Sequence, residues 1–476
     1  MVPTHPLLLA IFFLLSATSS SSSANVLNST ITLHLRPLAA HRPSPDQWGE
    51  VEALADLSAS SLARARHLKR PKKANFSSSF TASAADDSSP VDLPLSSHSY
   101  GGYTVDLSFG TPPQTMTFVM DTGSSLVWSP CTSHYKCSRC SFPTVNPSNL
   151  SVFIPRASSS SKIIGCRNPK CQWIFGRDIA SQCPTSQVCP PYILQYGSGS
   201  TGGLLLSESL DLPGRTVPNF LLGCSVFSSA QPAGIAGFGR GSQSLPAQLR
   251  IKRFSHCLLS RNFDDSPQTS NLVLGTVSGG RKTKGLSYTP FRENPSSPTA
   301  FSEYYYVGLR KITVGGKAVK VPHHYLVPES EGNGGTIVDS GTTFTFMERP
   351  IFEAVAKEFD RQMGSHRRAV EVERRSGLRP CYDVSDRSPD GSLELPELVF
   401  YFKGGAKMAL PGENYFALLK SGVICLTIIS DSVMVGPDAR GGGGPAVVLG
   451  SFQQQNYQVE YDLENNRLGF MRQICR

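Results

Sequence analysis

The sequence predicts an all-β protein built from two similar lobes, and three observations support this prediction. Short β-rich apolar runs alternate with turns along most of the 476-residue chain, which contains 42 Gly and 35 Pro. Residues with helical periodicity are scarce. Finally, segments in the second half of the chain repeat segments of the first half, as expected for two related lobes.

The N-terminal residues 1–24 predict a cleaved signal peptide. Residues 7–15 form a short apolar stretch, and small residues follow it as far as Ala24. The stretch is too short to span a bilayer. A transit peptide is the alternative, because the Ser-rich tract is also typical of one.

Residues 25–97 are predicted to form a pro-segment, followed by lobes at 98–285 and 286–476. A chain of this length should form two or more domains. The pro-segment carries one dense basic run, which comprises Arg64, Arg66, Lys69, Arg70, Lys72 and Lys73. A solvated linker is the alternative interpretation, because residues 77–89 are rich in Ser, Ala and Asp.

The repeat is centred on a short acidic triplet. Asp-Thr-Gly at 121–123 returns as Asp-Ser-Gly at 339–341, and each triplet follows an apolar run suited to a buried strand. Similar segments also flank both triplets, at 103–110 and 306–315 upstream and at 233–238 and 446–451 downstream. The pattern predicts that each lobe supplies one carboxylate.

Two carboxylates held close together share a proton, so one can act as a general base while the other acts as a general acid. Asp121 and Asp339 are the candidates, and Gly123 and Gly341 would let the backbones turn tightly beside them. Neighbouring hydroxyl groups would orient the carboxylates; these are Thr122, Ser124, Ser340 and Thr342. The alternative is that both triplets are ordinary turns after strands.

At this point the chain resembles the pepsin-like aspartic proteases, and among them the plant nepenthesin-type group, over roughly residues 98–476. The resemblance implies two pseudo-symmetric β-lobes with a central cleft and a few short helices. It implies that Asp121 and Asp339 are the catalytic pair. It also implies that each downstream apolar segment pairs with its Asp loop to form the floor of the cleft.

A hairpin is predicted to cover the cleft. Residues 192–196 and 204–206 are strand-like, and 197–203 is a turn cluster. The resemblance makes Tyr196 the flap tyrosine and Trp128 its hydrogen-bond partner, and it adds Gly123, Gly341 and Thr342 to the substrate-binding set. Ser198 departs from the family pattern, where an acidic residue is common. A plain surface hairpin is the alternative.

One helix is predicted in the second lobe, over residues 351–363 after Pro350. Ile351, Val355, Phe359 and Met363 lie on a single stripe at helical spacing.

All twelve cysteines lie at or after position 131, which favours an oxidising compartment. The sequence alone leaves their pairing open. The resemblance implies six disulfides: Cys131–Cys137, Cys140–Cys224, Cys166–Cys189, Cys171–Cys183, Cys257–Cys475 and Cys381–Cys425. A zinc site at His134, Cys137 and Cys140 is the alternative for part of this set. No metal or other cofactor is expected.

The basic run suggests a partner within the chain. Net charge is +9, but the other basic residues are dispersed, so no nucleic-acid partner is expected. Related proteases hold basic pro-segments against their cleft carboxylates, and by this resemblance Lys72 or Lys73 would sit on the two aspartates. Cleavage between about residues 75 and 97 would release the mature enzyme.

The sequence thus predicts a secreted, monomeric aspartic endopeptidase that acts on polypeptides at acidic pH. Glycosylation sequons at Asn28, Asn75 and Asn149 fit secretion. The C-terminus has no hydrophobic tail, so no membrane anchor is expected. The apoplast or cell wall is the expected location, with the vacuole as an alternative. The rival function is a catalytically silent protein of the same fold that binds and inhibits cell-wall-degrading enzymes.

Overall fold

The structure of the chain is a computed structural model. It describes residues 31–37 (backbone only), 49–70, 102–138, 151–176, 179, 181, 183, 188–197, 199–230, 233–260, 269–275, 282–295, 299–385, 393–431 and 443–475. Several predictions concern residues outside these ranges: the signal peptide, Lys72, Lys73, Cys140, Ser198, and the sequons at Asn28, Asn75 and Asn149.

β-strands dominate the described residues. In chain order they are β1 (Ile31–Pro37), β2 (Tyr103–Phe109), β3 (Gln114–Asp121), β4 (Trp128–Pro130), β5 (Lys136–Ser138), β6 (Lys162–Ile163), β7 (Tyr192–Gln195), β8 (Ser200–Leu212), β9 (Arg215–Ser229), β10 (Gly234–Gly237), β11 (Arg253–Cys257), β12 (Ser270–Leu274), β13 (Ser287–Pro290), β14 (Tyr306–Val307), β15 (Leu309–Val314), β16 (Lys317–Ala318), β17 (Thr336–Val338), β18 (Thr345–Met347), β19 (Cys381–Asp383), β20 (Leu398–Phe402), β21 (Lys407–Leu410), β22 (Phe416–Leu418), β23 (Val423–Leu426), β24 (Ile428–Ile429), β25 (Val447–Leu449), β26 (Tyr457–Asp462) and β27 (Arg467–Arg472). The prediction of an all-β fold is confirmed.

The α-helices are α1 (Glu50–Lys69), α2 (Pro169–Phe175), α3 (Leu245–Leu249), α4 (His323–Leu326), α5 (Arg349–Gln362) and α6 (Val370–Ser376). The predicted helix over 351–363 is confirmed as α5, which begins two residues earlier because Pro350 fits its first turn. Ile351, Val355 and Phe359 are buried as the stripe predicted.

One large sheet joins the two halves of the chain. Its strands follow the order β13-β27-β26-β11-β12-β1-β2-β3-β10-β4-β9-β8-β6, with β5 paired to β9 and β7 paired to β8. Strands β26 and β27 come from the C-terminal end, yet β26 pairs with β11 of the first half. The C-terminal half also forms three smaller sheets, ordered β14-β17-β25-β18-β24, β16-β15-β20-β21 and β19-β23-β22.

The internal repeat takes the same form in both halves. β3 ends at Asp121 and pairs in parallel with β10, so that Asp121 lies opposite Gly237. β17 ends one residue before Asp339 and pairs in parallel with β25, with Val338 opposite Leu449. The expected pairing of each Asp loop with its downstream apolar segment is therefore confirmed.

Strand β1 and helix α1 are integrated into the fold. β1 pairs with β12 on one side and with β2 on the other, inside the large sheet. Helix α1 buries Leu54, Leu57 and Leu68 in an apolar cluster formed with the C-terminal half. The linker alternative is therefore wrong for residues 64–69, whose helical spacing buries one face.

The predicted hairpin is present, but its turn is shorter than expected. β7 and β8 pair from Tyr192 opposite Gly203 to Gln195 opposite Ser200. Gly202 and Gly203 therefore belong to the strand. Glycine suits this position because a side chain at Gly203 would collide with the backbone of Cys224 on β9.

Four of the expected disulfide pairs are wrong. Cys131 pairs with Cys224, since β4 runs parallel to β9 and brings these residues together. In the cysteine-rich insertion the pairs are Cys166–Cys183 and Cys171–Cys189, and Cys171 lies on α2. The pairs Cys257–Cys475 and Cys381–Cys425 are confirmed.

Cys137 is also disulfide-bonded, which excludes it as a thiolate ligand of zinc. No group of three potential ligands among the described residues is arranged to hold a metal ion. Within the same residues, no helix is both long enough and apolar enough to cross a membrane.

Candidate active site

The two predicted carboxylates meet where the halves of the chain join. Asp121 and Asp339 are 2% and 0% exposed. Hydrogen bonds link their loops in both directions: Ser340 N donates to Thr122 Oγ1 (2.9 Å) and Thr122 N donates to Ser340 Oγ (3.1 Å). Thr122 and Ser340 therefore hold the two loops together. The sequence predicts that their hydroxyls orient the carboxylates, but among the described residues they bond across the loops instead.

The glycines of the triplets make the close approach possible. A Cβ atom at Gly123 would lie 2.7 Å from Asp339 Oδ1, and one at Gly341 would collide with Asp121 Oδ1. Each carboxylate thus packs against the glycine of the opposite loop. Any side chain at either glycine would push the two carboxylates apart.

Each carboxylate also receives the same two hydrogen bonds from its own loop. Asp121 accepts from Gly123 N (3.0 Å) and Ser124 Oγ (2.5 Å). Asp339 accepts from Gly341 N (3.0 Å) and Thr342 Oγ1 (2.6 Å). Ser124 and Thr342 therefore fix the orientation of the carboxylates, as the sequence predicted for these hydroxyls.

Arg64 of α1 lies between the two carboxylates. Its Nη2 donates to Asp121 Oδ1 at 2.7 Å, and its Nε donates to Asp339 Oδ2 at 3.3 Å. The arginine is only 7% exposed. The resemblance to related proteases predicts Lys72 or Lys73 at this point, and those residues lie outside the described ranges. The basic position that occupies the site is eight residues earlier than the first of them.

A signal for Arg64 was present in the sequence. Leu57, Ser61, Arg64 and Leu68 follow one another at spacings of three and four residues, which is the pattern of one helix face. Ser61 and Arg64 are buried on that face, and Ser61 Oγ accepts from Phe344 N (3.0 Å). Because Ser61 and Arg64 are polar, the stripe does not have the apolar pattern of a buried helix face, and the helix was not predicted from the sequence.

Burial and charge shift the pKa values of the two carboxyls in opposite directions. Burial, helped by the charge of Asp339, raises the pKa of Asp121 to about 6 against the opposing charge of Arg64. Burial also opposes ionisation of Asp339. The charge of Arg64 and the hydrogen bonds from Thr342 and Gly341 outweigh it, and the pKa of Asp339 is lowered. With Arg64 bound, the pair therefore takes its first proton on Asp121.

The predicted flap residues lie over this site. Trp128 Nε1 donates to Tyr196 Oη at 2.8 Å, and both side chains are buried. The ring of His67, on α1, lies 6.4 Å from that of Tyr196. A side chain at Gly197 would collide with the backbone of Arg64. Helix α1 therefore fills the space between the flap and the carboxylates.

A further carboxyl group near the site was not predicted. Glu303 Oε1 accepts from Gln243 Nε2 (3.0 Å), and its side chain hydrogen-bonds Ser125, which adjoins Ser124. Burial raises the pKa of Glu303, against the effect of these hydrogen bonds. Glu303 has no counterpart in the repeat, so the duplicated pattern gave no indication of it.

Most of the chain matches known protein families and relatives. The family profile described as "Xylanase inhibitor N-terminal" matches residues 103–276, and "Xylanase inhibitor C-terminal" matches residues 304–472. A probable aspartyl protease of Arabidopsis thaliana is 34% identical over 439 residues, covering 81% of this chain and 84% of that protein. Aspartic proteinase nepenthesin-2 of Nepenthes gracilis is 33% identical over 381 residues, covering 79% and 78% respectively.

Solved structures are similar at lower identity. The crystal structure of edgp superimposes with a TM-score of 0.59 and 20% identity, covering 78% of this chain and 92% of that one. Basic 7S globulin from soybean gives a TM-score of 0.55 and 18% identity, with coverages of 78% and 91%. At these identities the likeness concerns the fold alone, and it confirms the predicted bilobal architecture.

Proposed function

The chain belongs to the pepsin-like aspartic proteases, in the plant group that includes the nepenthesins, and from this premise we propose that it is an aspartic endopeptidase. One observation carries the proposal. A single guanidinium group, that of Arg64, contacts both Asp121 and Asp339, so the two carboxylates face one point in space. A water molecule at that point would contact both once the arginine has left.

The chemistry follows from a carboxyl pair that shares one proton. The ionised carboxylate removes a proton from the water as its oxygen attacks the peptide carbonyl, and the protonated carboxyl donates to the carbonyl oxygen. The gem-diol intermediate then collapses as a proton is passed to the departing amide nitrogen. Such a pair must keep one proton, so we expect activity to peak at acidic pH.

Helix α1 is proposed to keep the enzyme latent. Arg64 neutralises the carboxylates, and the helix occupies the space under the flap where a substrate would bind. Acid should favour its release. Burial opposes ionisation of Asp339, but the charge of Arg64 and the hydrogen bonds to this carboxyl outweigh it, and the pKa of Asp339 is lowered while α1 is bound. A carboxyl whose pKa is lowered by its partner favours that partner at neutral pH, so by linkage this contribution to the binding of α1 is lost as the pH falls through the lowered pKa of Asp339.

The domain boundaries of the chain and the cellular location of the protein are also proposals. Residues 1–24 would be a signal peptide, 25–97 the pro-segment, and 98–285 and 286–476 the catalytic lobes. Five described disulfides support an oxidising, secretory route to the apoplast, cell wall or vacuole. Glycosylation at the Asn149 sequon would fit the same route.

A catalytically silent binding protein is the second candidate. The two matching family profiles are described as xylanase inhibitor domains, which favours a partner-binding role on the same fold. Against it, both carboxylates, their glycines and their orienting hydroxyls are present and symmetrically hydrogen-bonded. Inhibition alone would require none of these groups.

Hydrolysis of a denatured protein separates the two candidates. The purified chain, treated with acid, is expected to cleave it with a maximum below about pH 5, and pepstatin, a transition-state-like inhibitor of such enzymes, should abolish the cleavage. Cleavage that persists with pepstatin would point to a contaminating protease. A processed chain that is inert at every pH would contradict the enzyme and favour the binding protein.

A buried histidine should set the acid limit of the fold. His256 on β11 is 0% exposed, and neither ring nitrogen has a hydrogen-bond partner among the described residues. Burial lowers its pKa to about 3. An unfolded histidine titrates near 6.5, so between pH 6.5 and 3 the unfolded chain binds a proton that the folded chain excludes. The free energy of unfolding should fall over this range by roughly 4 kcal/mol.

His256→Leu should remove that loss. In an Asp121→Asn background, which prevents self-digestion, urea unfolding is measured at pH 6.5 and pH 3.5. The double variant is expected to lose less stability on acidification than the Asp121→Asn chain alone, by about 3–4 kcal/mol. His134→Leu, a change at an exposed histidine, serves as the control. Equal acid sensitivity in all three proteins would show that His256 does not set the limit.

A further inference from the structure

The last residue of α1 occupies a small cation site on the C-terminal lobe. The ammonium group of Lys69 contacts the carboxylate of Glu348 and lies 5.1 Å from the centre of the Phe346 ring. Their side chains are only 10% (Lys69) and 13% (Glu348) exposed. A largely buried carboxylate beside an aromatic face is a combination that binds ammonium and guanidinium groups well.

Rigid elements hold this site in place. Phe346 lies on β18, between β24 and β25, opposite Ile429 and Val448. Glu348 immediately precedes α5, and its backbone N donates to Ala446 O at 2.8 Å. Elements other than α1 therefore support both residues, and we expect the site to persist when the helix leaves.

The site lies within reach of a substrate bound at the aspartates. β18 follows directly from the loop of Asp339, whose Thr342 orients the carboxylate. Arg64 contacts the carboxylates and Lys69 contacts the cation site, and their backbone positions are about 7.5 Å apart along the helix axis. An extended chain rises about 3.3 Å per residue, so a substrate that follows the path of the helix would span this separation with two or three residues.

We propose that Glu348 and Phe346 form a substrate subsite that accepts a Lys or Arg side chain two or three residues from the scissile bond. The inference rests on the proposed protease function and specifies its substrate class: polypeptides with a basic residue at that position. When α1 departs, Glu348 loses its cation, and a basic substrate residue restores the lost pair.

A second ion pair lies on the same helix. Arg66 Nη2 contacts Asp431 Oδ1 at 2.7 Å, but these side chains are 50% and 35% exposed. Exposed pairs contribute little to binding. Glu348 is therefore the residue to which we assign the preference, and Asp431 adds only a general attraction for basic chains.

Cleavage mapping and matched peptides test the subsite. The processed wild-type enzyme digests a mixture of denatured proteins, and mass spectrometry reads the cleavage sites. Lys and Arg should be enriched at one fixed position, two or three residues from the cut. Two peptides that differ only in Lys or Gln at that position then give a ratio of kcat/KM, which Glu348→Gln should lower about tenfold.

Glu464→Gln is the matched control. Glu464 also pairs with a lysine, Lys252, but this pair is exposed and lies beyond the ends of β26 and β11, so the ratio should not change. Absence of any basic enrichment in the wild-type digest would overturn the subsite while leaving the protease function intact. An unchanged ratio in the Glu348→Gln enzyme would overturn it as well.

A binding measurement keeps the subsite testable if the chain proves not to be a protease. Calorimetry compares a synthetic peptide of residues 50–69 with its Lys69→Gln form, using the processed chain and its Glu348→Gln variant. The peptide substitution should weaken binding about tenfold to the unchanged protein and have much less effect on the variant. Equal weakening in both proteins would show that Glu348 does not bind the cation.

Discussion

Asp121→Asn is expected to lower kcat/KM for peptide hydrolysis by about 10³- to 10⁴-fold, since the amide can neither release nor accept the shared proton. The substitution is nearly isosteric, and the hydrogen bond from Gly123 N still has an oxygen to accept it. The fold should therefore survive. The measurement compares initial rates of wild-type and variant enzymes on a peptide substrate at the optimal pH.

The design must allow for self-activation. A variant that cannot hydrolyse peptides cannot remove its own pro-segment, so both proteins are processed with the same added protease, which is then removed. Asp106→Asn is the control, because Asp106 lies on β2 and accepts from Thr117 Oγ1 (2.7 Å) away from the site. If the processed Asp121→Asn chain kept more than about one hundredth of wild-type activity, Asp121 would not be a catalytic residue.

Arg64→Ala is expected to abolish the latency of the precursor. The change leaves two buried carboxylates without their cation, which costs about 3 kcal/mol or more and shifts the docking equilibrium of α1 by at least about a hundredfold. The intact variant should cleave a peptide at pH 5–6, where the intact wild-type chain is still blocked. Electrophoresis of the same samples must show that the chain is uncut.

Arg66→Ala provides the comparison for this experiment. Arg66 lies on the same helix and also pairs with an aspartate, Asp431, but on an exposed face, so its loss should change latency less than about fivefold. If the Arg64 and Arg66 variants were equally latent, inhibition would depend on the bulk of the helix under the flap. Arg64 would then have no special role.

The geometry of the carboxylate pair could be predicted from the sequence because the segment that forms it is duplicated. Two triplets in matching contexts predicted both aspartates, their glycines and the strands that deliver them, and the structure joins those strands as expected. The roles of Thr122 and Ser340 were harder to predict. Their side chains bond across the junction of the loops, and only the pairing of the two halves determines that contact.

Features that depend on a single long-range contact were missed. Local charge density does not show which basic residue faces the cleft, so the resemblance predicts Lys72 or Lys73 there and does not single out Arg64. The order of the cysteines likewise did not indicate that β4 runs beside β9, which joins Cys131 to Cys224. Both outcomes depend on tertiary packing, which the local pattern does not specify.

Strand β1 has a further consequence for the precursor. Its backbone is registered with five residues of β12 and three of β2. A single cut between α1 and β2 would therefore yield two polypeptides that share one sheet, and their separation would obey mass action. Latency should then persist in concentrated solutions of the nicked protein and disappear on dilution, so that the concentration of the enzyme itself becomes part of its control.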